Sequence, residues 1–361
     1  MDLSTLQHSP LESRHLAAGG KLVPFSGWAL PVQYDGILAE HQAVRSACGV
    51  FDISHMGQLL VQAPERVDAA VWLNRVLSND VSRLEPGQGQ YTLLLNDEAG
   101  IIDDLIVYRR EENAFLLIVN AARRKEDLDW LTRHAPPGMA LVDRGMDHGA
   151  IAVQGPEARR VFSSMMPSGA FLPPRFGLAE FGEITVCRTG YTGEDGFELC
   201  APAETLGDWW DKAVTAGAKP CGLGARDLLR LEKCYPLNGN DLSPQTTPLE
   251  AGLGFAVAWE KEEFLGNEAL RQQRRQGPGR KLVALKVIGK TPPPRPEVPV
   301  FTTDQGGEPV GRLTSGGFSP GLKAGIALGF VPAGLHHPGT RLWIEIRANR
   351  YPAEVVPKPF V

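Results

Sequence analysis

The stretch AGIIDDLIVYRR, residues 99–110, decides how the chain is read. Side chains alternate faces along a strand, so Ile102, Asp104, Ile106 and Tyr108 share one side, and Ile101, Asp103, Leu105 and Val107 the other. Both sides are apolar enough to be buried, yet each carries an aspartate. An unpaired carboxylate inside a protein costs roughly several kcal/mol unless it is hydrogen-bonded or neutralised. At least one of the two acids should therefore meet a partner.

The flanking runs extend the pattern. QYTLLL (90–95) and AFLLIVNA (114–121) are strand-like, and NDEAG and REEN punctuate them as hairpin connections. An antiparallel meander is expected, with both aspartates on its central strand. Upstream, GILAEHQAVRSACGVFD (36–52) reads as a helix capped by Gly49, with Leu38, Val44 and Cys48 facing inward. VFDISHMGQLLVQ (50–62) reads as one strand, and PERVDAAVWLNRVL (64–77) as a helix opening at Pro64. GQLLVQAPERVDAAVWL (57–73) is echoed by GAIAVQGPEARRVFSSMM (149–166), each a strand, a VQ(A or G)PE turn and a helix. Coincidence and an ancient duplication both account for two copies; duplication implies two related α+β units.

Further on, EITVCRTGYTGEDGFELCAP (183–202) is strand, glycine-rich turn, strand, and KPCGLGARDLLRLEKC (219–234) leads into a helix with Arg226 and Arg230 four apart. Residues 271–295 carry eight basic side chains and no acid. They read as a linker and the edge of a last unit, or as a face for an acidic partner. The tail from about 280 to 361 has short strands and turns, as in a small β-barrel or sandwich.

Composition bounds the rest. A chain of 361 residues, 43% hydrophobic and 22% charged with net charge −5, is an ordinary soluble globular protein of two or three domains. It has no nucleic-acid footprint. The five cysteines, odd in number and without a CxxC pair, point to buried thiols in a reducing compartment and to no structural zinc. No run of about 18 apolar residues exists, and the first twenty residues lack a signal-peptide core, so an unexported, non-membrane protein is expected. There is no GxGxxG after a strand, no GxxxxGK[ST], no HExxH and no GxSxG.

Candidate chemistry rests on few residues, each with a plainer reading. Asp103 and Asp104 are turn or capping acids, or one of them holds a protonated nitrogen in an apolar pocket. Asp104, on the face with Tyr108, is the stronger candidate. Glu198 faces away from Phe197 and Leu199, toward solvent or toward a guanidine-like edge such as a pterin's, which a carboxylate grips with two parallel bonds. Arg226 pairs within its helix or fixes a carboxylate or heterocycle oxygen. His55 has no partner nucleophile nearby and reads as structural.

Five segments together carry a resemblance: GVFDISHMGQ (49–58), AGIIDDLIVY (99–108), GYTGEDGFEL (190–199), GLGARDLLRLE (222–232) and TSGGFSPGL (314–322). In this order and spacing the chain resembles the T-protein of the glycine cleavage system, from LVPFSGW (22–28) to VPKPFV (356–361). The resemblance implies an α+β fold in a three-domain, cloverleaf-like arrangement. Two α+β domains with antiparallel sheets and a C-terminal β-barrel would surround a central folate channel. The first domain would comprise 1–58 and 146–250, the second 59–145, and 251–361 would form a linker and the barrel. It implies an enzyme, an aminomethyltransferase with tetrahydrofolate as co-substrate and no metal. The methylene carbon would pass from aminomethyl-lipoyl H-protein to tetrahydrofolate, with release of ammonia, by placement and electrostatics. Lipoylated H-protein is the implied partner, the protein otherwise being monomeric, cytoplasmic (mitochondrial matrix in a eukaryote), and free of membrane and nucleic acid. Asp104 matches the catalytic aspartate, Glu198 the pterin-gripping acid and Arg226 the substrate-contacting arginine. Tyr91, Asn120 and Tyr191 match pocket positions, and Met56 an apolar wall.

Two departures stand out. The usual GGI before the aspartates is Ala99-Gly100-Ile101 here. The chain also stops at Val361, where members often continue toward the folate tail, so that contact is expected to be missing or replaced. The alternatives are a folate-dependent demethylase and a non-enzymatic folate-binding factor on the same scaffold. The latter type centres on a cysteine in a KGCYxGQE-like motif, which EKCYPLNGND (232–241) echoes in part around Cys234.

Overall fold

The computed structural model describes residues 3–145 and 147–361. Met146, where the expected first domain resumes, lies outside them, as do the first two residues. The chain divides into two compact units, one running to Leu94 and then over Asp104–Asp227, the other comprising Leu95–Asp103 and Leu228–Val361.

The first unit holds a small three-stranded sheet, ordered Gln7–His8, Trp28–Pro31 and Leu22–Phe25, and two larger ones. One has six strands in the order Leu178–Phe181, Ile184–Cys187, Gly196–Pro202, His148–Gln154, Gly49–Asp52 and Lys219–Pro220. Val50, Ile151, Val153, Phe197 and Leu199 point from its strands into one core, closed by Phe162 and Trp210 of helices Ala158–Met165 and Ala203–Thr215. The other sheet has five strands, ordered Gly89–Leu95, Ile101–Glu111, Ala114–Val119, Gly57–Gln62 and Ala140–Asp143. The expected meander is there, with the aspartates on its middle strand, and the VQAPE strand extends it. Both copies of the VQxPE echo are a strand followed by a helix, Gly57–Gln62 with Ala69–Val76 and His148–Gln154 with Ala158–Met165.

In the second unit, six strands (Arg280–Val287, Ala324–Pro332, Gly311–Ser319, Pro299–Phe301, Arg341–Ile346 and Asn349–Val356) close into a barrel. Val283, Leu285, Leu313, Ile344 and Val355 fill a core within it. The fold class is α+β with a C-terminal β-barrel, as expected. The hairpin tip belongs to this unit: Asn96 Nδ2 donates to Pro244 O (3.0 Å), Ile101 N to Thr246 O (2.9 Å) and Asn238 Nδ2 to Ile102 O (3.4 Å).

Several local expectations are corrected. The stretch 50–62 is two strands in different sheets. Asp52 accepts from Ser54 N (2.8 Å) and Met56 N donates to Ile53 O (3.0 Å), a local turn that outcompetes the ladder. Gly49 caps no helix, for Ile37–Ser46 ends at Ala47 and Gly49 starts a strand. Glycine is needed there because a Cβ would lie 2.5 Å from Val44 Cγ2 and 2.8 Å from Cys221 Sγ. Leu38 is 56% exposed, and the helix turns Glu40 and His41 inward beside Val44, which is buried as expected. Glu40 earns that burial by accepting from the backbone N–H groups of Tyr34, Gly36 and Gly222. The helix expected from Pro64 begins at Ala69, because Asp68 caps it through Ala70 N and Val71 N.

The basic run is not a linker. It holds the helix Asn267–Gln276 and the barrel strand Arg280–Val287, and several of its cations have internal partners. Arg271 donates to Trp259 O and Lys261 O, Arg274 stacks 4.1 Å over Trp259, and Arg280 pairs with Glu250 at 3.1 Å.

Candidate functional site

The alternation along Ile101–Glu111 separates the two aspartates. Asp103 is fully buried, in line with Ile101, Leu105 and Val107. Asp104 is half-buried on the opposite face. The register with the next strand (Ile106 opposite Ile118, Val107 opposite Leu117) continues to bring Asn120 across from Asp104. Asn120 Nδ2 donates to Asp104 Oδ1 at 3.1 Å and to its main-chain oxygen at 2.9 Å. From the other flanking strand, Tyr91 Oη donates to Asp104 Oδ2 at 2.9 Å. Each carboxylate oxygen thus accepts a hydrogen bond from a neighbouring side chain. The rotamer is set before any ligand arrives.

Glu198 lies on Gly196–Pro202, opposite Ala152 and Cys187, while its neighbours Phe197 and Leu199 point into the core. Thr189 Oγ1 donates to Glu198 Oε2 at 2.7 Å. Burial pushes the Glu198 carboxyl above its ordinary value, with the Thr189 hydrogen bond and the Arg226 charge pulling it back.

The glycine-rich turn between the two strands is tied down by Gln154, the fully buried glutamine of VQGPE. Its Nε2 donates to Thr189 O (3.1 Å) and its Oε1 accepts from Thr192 Oγ1 (3.0 Å). Gly190 must be glycine, since a Cβ would fall 1.9 Å from Gln154 Oε1. Arg45 adds bonds to Thr192 O and to the Glu194 carboxylate.

This turn presents Tyr191, whose ring lies 4.8 Å beneath the Arg226 guanidinium. Arg226 sits on the helix Leu223–Glu232 and is half-buried, and its Nη1 is buried with no hydrogen-bond partner among the described residues. Burial lowers its pKa, against the opposing pull of Glu198 and Tyr191. A guanidinium held in this way has donor capacity for a ligand oxygen. Arg230, one helical turn on, has a different task, pairing with Asp241 at 2.8 Å inside the second unit.

His55 and Met56 occupy the turn 53–56. His55 is 3% exposed, edge-on to Phe25 with ring centres 5.5 Å apart, and its Nδ1 has no partner among the described residues. Burial and the Arg226 charge push it down to about 3, against the pull of Asp52. Met56 is half-buried beside it.

The structure brings Asp104, Tyr91 and Asn120 into direct contact, and groups Glu198, Arg226 and Tyr191 by charge and ring stacking. The sequence reading passed over Thr189, Gln154 and Arg45. Gln154 left a trace in the VQxPE echo, but its twin Gln62 is exposed, so the repeat alone does not mark it. Among the described residues, no group of three or more His, Cys, Asp or Glu side chains could hold a metal ion, and no helix is long and apolar enough to cross a membrane.

The GCVT N-terminal domain family matches residues 11–261, and the glycine cleavage T-protein C-terminal barrel domain matches residues 280–361. Proteins named aminomethyltransferase from Frankia alni and Geobacillus kaustophilus are 44% and 41% identical to the chain, with alignments covering 99% and 98% of each partner respectively. A crystal structure of the glycine cleavage system aminomethyltransferase T from Bartonella henselae, 36% identical, covers 99% of this chain and 98% of its own, with a TM-score of 0.92. With near-complete coverage by both family domains and by full-length relatives, the chain belongs to the glycine cleavage T-protein family.

Proposed function

We infer that the chain is a tetrahydrofolate-dependent aminomethyltransferase of the glycine cleavage system. It transfers the methylene carbon of aminomethyl-lipoyl H-protein to tetrahydrofolate with release of ammonia. Family membership implies interaction with H-protein. Our reading adds that the protein acts as a monomer outside that complex, in the cytoplasm, away from membranes and nucleic acid. It also assigns 1–58 with 146–250, 59–145 and 251–361 as the three domains.

The observation that carries the site assignment is the Asp104 carboxylate, half-buried and oriented by hydrogen bonds from Tyr91 and Asn120. The residues present fit a reduced folate. Glu198 has acceptor capacity for a guanidine-like N–H edge, Arg226 Nη1 is an unused buried donor, and Tyr191 and Met56 offer apolar contact. When bound, the folate would supply two nitrogens, one taking the carbon as the C–S bond breaks and the dihydrolipoyl thiolate leaves, the other closing the methylene bridge as the C–N bond breaks and ammonia leaves. Asp104 orients the first nitrogen and accepts its proton, and its own orientation is set by Tyr91 and Asn120. Glu198 and Arg226 hold the heterocycle so that the nitrogen faces Asp104.

Ammonia release should require both aminomethylated H-protein and tetrahydrofolate. Transfer of a one-carbon unit to tetrahydrofolate from a small methylated compound, without ammonia release, would favour the demethylase reading. Cys234 gives little support to the cysteine-centred alternative, because burial pushes its thiol up to about 11, away from thiolate chemistry. Cys234→Ala should keep transfer within about two-fold of wild type, and loss of transfer would promote that alternative.

A further inference from the structure

Glu198 is the end of a hydrogen-bonded chain. Its Oε2 accepts from Thr189 Oγ1 at 2.7 Å, and the same hydroxyl lies 2.7 Å from Tyr108 Oη. Tyr108 is fully buried, and its ring is packed so closely on Gly89 that a Cβ there would lie 2.3 Å from Tyr108 Cδ1. It shares a strand face with Asp104, four residues or about 13 Å away. The Tyr108 end of the chain is therefore not free to drift.

The proton count gives the chain a direction. A threonine hydroxyl has one hydrogen to donate, and an ionised carboxylate can only accept. With Glu198 ionised, Thr189 must donate to it, and Tyr108 must donate to Thr189. Burial holds the Tyr108 phenol well above its ordinary pKa, so its proton is retained. The donated bond occupies one site on Oε2 and leaves Oε1 and the second lone pair of Oε2 for a ligand.

We propose that Thr189 and Tyr108 are positioning residues that hold the ionised Glu198 carboxylate edge-on to the N–H pair of a bound pterin, so that affinity for the reduced folate depends on the whole chain. This rests on the reading of Glu198 as the pterin-gripping acid. Loss of the Thr189 bond removes a contact that favours the charged form, so the acid limb of folate binding should move to higher pH.

The test is calorimetric titration of the full chain with tetrahydrofolate, as a function of pH, for five proteins: wild type, Thr189→Val, Thr189→Ser, Tyr108→Phe and Glu198→Gln. Thr189→Val should weaken binding about ten-fold, the scale of one charge-assisted hydrogen bond, and shift the acid limb upward. Thr189→Ser, which restores the hydroxyl, should stay within about two-fold of wild type in both respects, and Tyr108→Phe should fall between. Wild-type binding by Thr189→Val would overturn the proposal, as would an equal loss in Thr189→Ser, which would mark a role of shape alone. Glu198→Gln separates the two levels. Unchanged affinity there would sink the assignment of Glu198 itself, whereas a loss there with none in Thr189→Val would sink only the positioning chain.

Discussion

His55 shows how the site couples to stability at the scale of one residue. Its ordinary pKa of 6.5 is pushed down to about 3 by burial and by the Arg226 charge, so the folded protein keeps it neutral. Between those values the unfolded chain binds a proton that the folded chain does not, and stability must rise with pH. The contribution is present above 6.5 and is lost on acidification, with a total on the order of a few kcal/mol. Asp52 acts in the same sense at lower pH. Burial pushes its carboxyl up, but hydrogen bonds with His15 (2.8 Å), Ser54 and Ser9 outweigh that and leave it below 3.8. Its contribution is intact above 3.8 and fades as pH falls through the depressed value. Urea-unfolding free energies should therefore decline from pH 6.5 to 4.5 in the wild type. His55→Asn should flatten that slope, whatever its effect at neutral pH. Equal slopes in the two proteins would contradict the assignment.

At the scale of elements, the loop 188–195 depends on a neighbouring strand. Gln154→Leu would leave Thr189 O and the Thr192 hydroxyl without their partner, at a cost of about 1–3 kcal/mol. It should also weaken folate binding, because Tyr191 and Thr189 would lose their anchor. Denaturation and titration of the one variant read both effects, and an unchanged midpoint with unchanged affinity would remove Gln154 from the site's support. The hairpin tip is similarly constrained. A Cβ on Gly100 would lie 1.8 Å from Pro244 O, so Gly100→Ala should destabilise by about 1–3 kcal/mol, read as a fall in the urea midpoint. Ala99 takes a φ of +63° in that turn, a conformation that favours glycine and accounts for the usual GGI.

These elements show why the sequence was legible in parts. Period-two alternation is a property of the strand itself, so the meander and the opposite faces of Asp103 and Asp104 follow from residues 99–110 alone. The break at 53–56 was hidden because VFDISHMGQLLVQ is apolar throughout, and only the side chain of Asp52 reveals the turn. Pro64 and Asp68 are both plausible helix starts in the sequence, and only the capping bonds of Asp68 select the start at Ala69. Thr189, Gln154 and Arg45 act through contacts 35 or more residues away, or through a hydroxyl with no pattern of its own.

For the molecule as a whole, the barrel-bearing unit is secured by a buried charge pair. Arg230 is 1% exposed and Asp241 fully buried, and Asp241 also accepts from Leu237 N and the Ser315 and Thr314 hydroxyls. Removing one partner strands the other in a dry interior, so Asp241→Ala should cost about 3–5 kcal/mol. Urea unfolding should show that loss in the transition that reports the barrel, and a shift under about 1 kcal/mol would mean that the pair is not load-sharing. The same helix carries Arg226 four residues earlier, so on our proposal one element would serve the ligand with one arginine and the fold with the next.

The most direct test is Asp104→Asn, assayed for ammonia release from aminomethylated H-protein with tetrahydrofolate binding measured on the same preparation. The expected result is a fall in kcat of about a hundred-fold or more with folate affinity within a few-fold of wild type, since the amide keeps the shape but cannot take the proton. A turnover within about three-fold of wild type would show that the Asp104 carboxylate does not carry the reaction.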